Sequence, residues 1–288
     1  LANIWGEVLG LKQVGIQDNF FALGGDSILS IQIISRMNQQ GFSLTPKNLF
    51  ENQTIAELAP VARASSRNID AEQGLVSGEV ALTPIQQWFF EQPLEQRNHW
   101  NQSVIIGVKH DVDLNHLEQS LNAIILQHDV LRLSFKQVKQ QWCQSHNEVE
   151  LVGIERVDLS HDESDLKQII ETHIANTQQS LSLQQAPLLK CVYFKTPQLD
   201  QHRLFLTVHH LVIDGISWRI LLEDFERAYA QLSAGSPVEL GRKTTSYQRW
   251  SEALTAYAQN ITTETEYWHH IVQHPITPVL PDIIGGNN

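Results

Sequence analysis

Two adjacent histidines stand in the stretch His209-His210-Leu211-Val212-Ile213-Asp214-Gly215-Ile216-Ser217-Trp218. A single imidazole of near-neutral pKa is the usual general acid or base. Two histidines and an aspartate could instead hold a metal, but side chains of adjacent strand residues diverge and make a poor shared site. A serine hydrolase would need a strained Gly-x-Ser-x-Gly elbow, and Gly215-Ile216-Ser217-Trp218-Arg219 lacks the second glycine. Ser217 is expected to cap the helix that carries Trp218. The plainer alternative is a satisfied pair of core histidines.

A second candidate is Ser27, in Leu23-Gly24-Gly25-Asp26-Ser27-Ile28. It falls where a helical pattern begins. The two glycines are expected to keep its approach open. The electropositive start of a helix favours an attached phosphodiester. Equally, Asp26 or Ser27 could be an ordinary N-cap.

Rigid elements must hold both candidates. Leu204-Phe205-Leu206-Thr207-Val208 is apolar on both faces and reads as a buried strand. Its alternation sends Leu204, Leu206, Val208 and His210 to one face and Phe205, Thr207 and His209 to the other. The two rings are thus predicted to point apart. Trp218, Leu221, Leu222, Phe225, Tyr229 and Leu232 recur at helical spacing behind them.

Around Ser27, the pattern predicts a compact helical unit over residues 1–63. Ile4, Trp5, Val8 and Leu9 form one stripe, closed by Gly10. Ile28, Ile31 and Ile34 form another, ended by Gly41. Thr45-Pro46 opens a helical turn, and Thr54 with Glu57 has capping-box spacing. Residues 64–80 are polar, lack a sustained period and read as a linker. Residues 81–288 form a second unit in which strand and helix patterns mix, an α/β sandwich-like lobe. Thr83-Pro84 starts its first helix, where Trp88, Phe89 and Phe90 are expected to be buried. Strands are predicted over 100–108, 151–157, 188–194 and 204–210.

The chain has 288 residues and a net charge of −12, with 32 acidic against 20 basic side chains. This argues against a nucleic-acid partner, which wants a clustered basic face. No window is long and apolar enough for a membrane span. Cys143 and Cys191 have no motif spacing, and Cys191 in its apolar run reads as a core thiol. A reducing, cytoplasmic setting fits. The chain begins Leu1-Ala2-Asn3 without Met, so a piece of a longer polypeptide is expected.

Phe20-Phe21-Ala22-Leu23-Gly24-Gly25-Asp26-Ser27-Ile28 resembles the attachment motif of peptidyl carrier domains in nonribosomal peptide synthetases. The likeness runs through residues 1–63 and implies a small all-α four-helix domain. It implies that Ser27 carries 4′-phosphopantetheine, placed there from coenzyme A by a phosphopantetheinyl transferase. In that family, Asp rather than His before the serine (Asp26 here) typifies carriers that precede an epimerization domain.

Four later stretches resemble the condensation-domain superfamily, whose lobes look like chloramphenicol acetyltransferase. They are Leu82 to Phe90, His128 to Phe135, His209 to Trp218, and Lys243 to Trp250. Pro84-Ile85-Gln86-Gln87-Trp88-Phe89 and the Ser217-Trp218 pair look like the epimerization branch; amide-forming members usually lack that pair. The reaction implied is inversion at the α-carbon of an aminoacyl or peptidyl thioester, without metal or pyridoxal. By resemblance His210 is catalytic. His209 and Asp214 support it, with Asp214 paired to an arginine. Asp26, Ser217, Trp218 and Trp88 are structural or substrate-channel residues. The superfamily has two lobes, and its second catalytic group is a glutamate in a Glu-Gly-His-Gly-Arg motif. That motif is absent from the sequence, so residues 81–288 are expected to be the N-terminal lobe alone, weak or inactive by itself. An upstream adenylation domain, a downstream condensation domain and the C-terminal lobe are the expected partners. A carrier joined to part of an amide-forming condensation domain, or to a non-catalytic docking lobe, are the competing readings.

Overall fold

The computed structural model describes residues 1–64, 71–108, 112–161, 165–198 and 201–274. The expected approach to a second lobe, 281–288, and the middle of the expected linker, 65–70, lie outside them.

The first unit is built from helices α1 (Ala2–Leu9), α2 (Ser27–Gln39), α3 (Pro46–Glu51) and α4 (Ile55–Val61). Their apolar stripes meet in a core of Trp5, Phe20, Ile33, Met37, Leu49 and Leu58. Gly10 ends α1 in the left-handed region, φ 67°. Thr54 and Glu57 form the capping box that their spacing predicts. Two-residue strands β1 (Phe42–Ser43) and β2 (Arg63–Ala64) pair antiparallel. They are too short to leave a pattern in the sequence.

In the second unit, β3 (Gly78–Val80) precedes α5 (Pro84–Glu91), β4 (Asn101–Val108) and α6 (Leu114–Gln127). Then follow β5 (Leu133–Val138), β6 (Gln141–His146), β7 (Glu155–Asp158) and α7 (Leu166–Gln179). Finally come β8 (Leu189–Lys195), β9 (His202–His209), α8 (Gly215–Ser233), α9 (Tyr247–Asn260) and α10 (Thr265–Gln273). One sheet has the order β4-β9-β8-β7, with only the β7–β8 pair parallel, and a second has the order β3-β6-β5. On β9, Leu204, Leu206 and Val208 join the larger core, which includes Leu117, Leu121 and Ile124 of α6 and Trp218, Leu221 and Phe225 of α8. Phe205 faces the other way, into a smaller cluster with Phe194 and the apolar side of α7. The predicted period of two is therefore realised in a sheet buried on both faces. Cys191 is buried on the neighbouring β8, and burial pushes its thiol up to about 12.

The structure departs from the sequence expectation in three places. Residues 78–80, read as linker, form β3 on the edge of β6, and Val76 before them is buried. Arg132 donates to the Val76 carbonyl, and Lys243 donates to the Gly74 carbonyl and to Asp129. The polar composition of this segment reflects an edge held by side-chain donors. The strand expected over 151–157 is confined to Glu155–Asp158. Trp88, expected in the core, is 53% exposed. The inward face of α5 is Gln86, Phe89 and Phe90, spaced i, i+3 and i+4, and residue 88 falls outside it.

Candidate active site at the end of strand β9

The β4–β9 ladder carries Asn101 opposite His209 and Gln102 opposite Val208. It continues one step further, as the His210 N–H donates to the Trp100 carbonyl at 2.8 Å. The chain then turns, with the Val212 N–H donating to the His209 carbonyl at 3.0 Å. Helix α8 starts at Gly215.

Asp214 is the cap of α8. Its Oδ1 accepts from the Ile216 N–H at 3.1 Å, the Ser217 N–H at 2.7 Å and the Ser217 hydroxyl at 2.7 Å. Partial burial would raise its carboxyl pKa. The Ser217 and Ile216 donors, with His210 nearby, outweigh that and hold it below the ordinary carboxylate value. This corrects one expectation, as Ser217 supports the cap instead of being it. The Asp214 Oδ1 is engaged at the helix N-terminus, and among the described residues no arginine pairs with its carboxylate.

The two histidine rings occupy different surroundings. His209 is fully buried, edge-on to Phe89 at 5.9 Å between centroids. Its Nε2 lies 2.8 Å from the Arg97 carbonyl, which can only accept, so Nε2 carries the proton. Its Nδ1 accepts from the Leu211 N–H at 3.2 Å. Burial, aided by the adjacent His210 and opposed by the Arg97 bond, pushes its pKa down to about 4. His209 is neutral, with both nitrogens engaged, and it holds the turn.

His210 is exposed. Its Nδ1 lies 2.7 Å from the Ile213 carbonyl and is therefore the protonated nitrogen. That leaves a lone pair on Nε2, the form a general base needs. Gln102 Nε2 stands 3.4 Å from this atom, and Gln102 Oε1 accepts from Trp218 Nε1 at 3.1 Å. Trp218 is buried under the turn. Of the two histidines, only His210 presents a ring nitrogen to the outside. Gln102 went unnoticed in the sequence. It sits 108 residues from His210, and nothing local marks the β4–β9 register.

Ser27 is exposed at the first position of α2. Asp26, with extended backbone, is the cap, and its Oδ1 accepts from the Ile28 and Leu29 N–H groups at 2.8 and 2.7 Å. Those donors are therefore engaged and do not stand open for a phosphodiester, as the bare helix-start argument supposed. What fits 4′-phosphopantetheine is the exposed primary hydroxyl on a rigid element. The glycines before it have separate duties. Gly24 takes φ +93°, and a Cβ on Gly25 would come within 2.5 Å of the Phe20 ring.

A family model described as Condensation domain matches residues 76–284, and one described as Phosphopantetheine attachment site matches residues 1–60. The chain belongs to the condensation-domain family. A phosphopantetheine attachment domain stands in front of its condensation-family lobe. A linear gramicidin synthase of Brevibacillus parabrevis is 47% identical over 93% of this chain. Surfactin synthase subunit 2 of Bacillus subtilis (strain 168) is 42% identical over 98% of it. The chain spans only 5% and 8% of those proteins. Among solved structures, the epimerization domain from the third module of a tyrocidine synthetase matches with TM-score 0.68 and 35% identity, over 75% of this chain and 50% of that one. The starter condensation domain of rhizomide synthetase matches with TM-score 0.58 at 19% identity, over 70% and 49%, a likeness of fold alone.

Proposed function

We propose that this chain is the carrier and the first lobe of an epimerization unit in a nonribosomal peptide synthetase. The observation that carries the reading is His210, an exposed imidazole whose Nδ1–H is fixed on the Ile213 carbonyl so that Nε2 is free to take a proton. The Ser217-Trp218 pair and the 35% identity to a solved epimerization domain favour inversion over amide formation.

The arm on Ser27 supplies a thioester, which acidifies the α-hydrogen of the amino acid it carries. His210 Nε2 accepts that hydrogen as a proton. His209 stays neutral and keeps the turn in place. Asp214 fixes the start of α8 directly behind the loop. A group on the opposite face of the substrate returns a proton, and this reading places that group in a second lobe. It also calls for a transferase that modifies Ser27, an adenylation domain that loads the arm and a condensation domain that takes the product.

The test loads Ser27 with an L-aminoacyl arm and incubates the protein in deuterated water, alone and joined to a second lobe. The amino acid is then released, and its α-deuterium and chirality are read. Deuterium with mixed chirality, lost by about 100-fold or more in His210→Ala, is the expected result. Lack of deuterium in both forms, with amide formed once an amine acceptor is added, would establish the condensation reading instead. Neither product in either form would leave a docking lobe.

A further inference from the structure

We propose that Gln102 is a positioning residue that, held by Trp218, turns its NH2 to His210 and favours the Nδ1–H ring with Nε2 bare. The catalytic consequence rests on His210 being the base. The arrangement itself follows from donors and acceptors alone.

An indole N–H can only donate. Trp218 Nε1 therefore assigns the Gln102 atom at 3.1 Å as the carbonyl oxygen. The other end of the amide, its NH2, is thereby turned to His210 Nε2 at 3.4 Å. The Ile213 carbonyl can only accept, so the His210 proton is on Nδ1. The three links form one directed chain. Trp218 donates to Gln102, Gln102 donates to Nε2, and Nδ1–H donates to Ile213. Only a ring with a bare Nε2 completes it.

Protonation of Nε2 breaks the chain. Two donors would then face each other across the 3.4 Å gap. Rotating the amide does not help, because its NH2 would then meet the Trp218 N–H. In either amide orientation, therefore, the chain is complete only with a bare Nε2. At 3.4 Å the Gln102 contact is long, so it competes weakly with a substrate hydrogen for the same lone pair. The residues with charge or titration close to the ring are Asp214 on α8 and the neutral His209, and both remain in every variant below. Trp218 then has a chemical duty beyond packing, which gives the Ser217-Trp218 pair a physical meaning.

The experiment records ¹⁵N shifts of the His210 ring in this chain across pH, for the parent, Gln102→Glu, Gln102→Leu and Trp218→Phe. The parent is expected to show Nδ1 protonated and Nε2 bare at neutral pH. Gln102→Glu offers an acceptor to Nε2 and should hold the ring doubly protonated well above the parent's range. Gln102→Leu and Trp218→Phe should leave the proton on Nδ1, held by Ile213, and should shift the Nε2 signal, more in Gln102→Leu, because its donor is lost or no longer oriented. In protein carrying a second lobe, α-deuterium exchange should fall about 10-fold or more in Gln102→Glu. Unchanged ¹⁵N patterns in folded Gln102→Glu and Trp218→Phe would overturn the proposal. So would a parent ring protonated on Nε2. The shifts are read without turnover, so the base role of His210 can fail while Gln102 control stands, and the reverse.

Discussion

Two helices of this molecule begin in the same way and serve opposite needs. At α2, Asp26 takes two backbone N–H groups on one carboxylate oxygen, and at α8, Asp214 does the same. The residue after Asp26 is Ser27, exposed and tied to nothing but its helix. The chemistry near Asp214 lies four residues upstream, where the His210 ring is bonded to the Ile213 carbonyl and approached by Gln102. A carrier must let its reactive end travel, so only the attachment point is fixed. On the proposed reading His210 is a base and must not move, and its ring and tautomer are both set. The cap is a local device common to the two, and the neighbours decide what it is for.

The sharpest break in the comparison is Ser27→Ala. It should abolish the mass gain on treatment with coenzyme A and a phosphopantetheinyl transferase, while circular dichroism and the unfolding curve of the lobe stay as they were. Survival of the mass gain would move the attachment point elsewhere.

The buried end of β9 predicts a pH effect that the first unit lacks. The folded pKa of His209, about 4, lies below the ordinary value of 6.5, so the unfolded chain binds more protons between them. The stability it contributes is complete above pH 6.5 and is lost as pH falls towards 4, on the order of 3 kcal/mol. Urea unfolding of the lobe at about pH 7 and about pH 4.5 should show the fall, and His209→Gln should flatten it. An equal slope in the two proteins would locate the acid sensitivity in other groups.

The two caps can be compared directly. Asp26→Ala and Asp214→Ala should each cost about 1 kcal/mol in thermal or urea melts. Asp214→Ala should also slow proton exchange at His210, since Ile216 and Ser217 lose their acceptor. Asp26→Ala should leave modification of Ser27 intact. Equal functional effects would mean that the caps are not different in kind.

The smallest effect is expected at the contact between the units. Arg36 of α2 pairs with Glu7 at 3.0 Å and with Glu223 of α8 at 2.7 Å, and Glu223 also pairs with Arg227. The Arg36 and Glu223 side chains are about a third exposed and screened, so Arg36→Glu should cost less than about 1 kcal/mol. Its signature would be a contact between the units that weakens with salt in the parent and not in the variant.

Much of this was legible in the linear pattern. Thr54 and Glu57, Gly10, the stripes of α1 and α2, and the alternation along β9 are read from short spacings because backbone sterics and capping act over a few residues. The divergence of His209 and His210 follows from the same period of two. Trp88 failed that reading because three adjacent aromatics do not say which of them a short helix will turn inward. Residues 78–80 failed it because a three-residue edge strand is held by backbone pairing with β6, and the approach to it by Arg132 and Lys243 at Val76 and Gly74, none of which needs apolar composition.

The sequence by itself determined that a serine would open a helix on one unit and that a histidine would close a strand on the other. The tertiary structure alone decided which nitrogen of His210 is bare. That depends on a carbonyl three residues ahead and on an amide brought from 108 residues away, oriented by an indole on a third element. Strand register is set by the whole buried face, so no local spacing could have named Gln102.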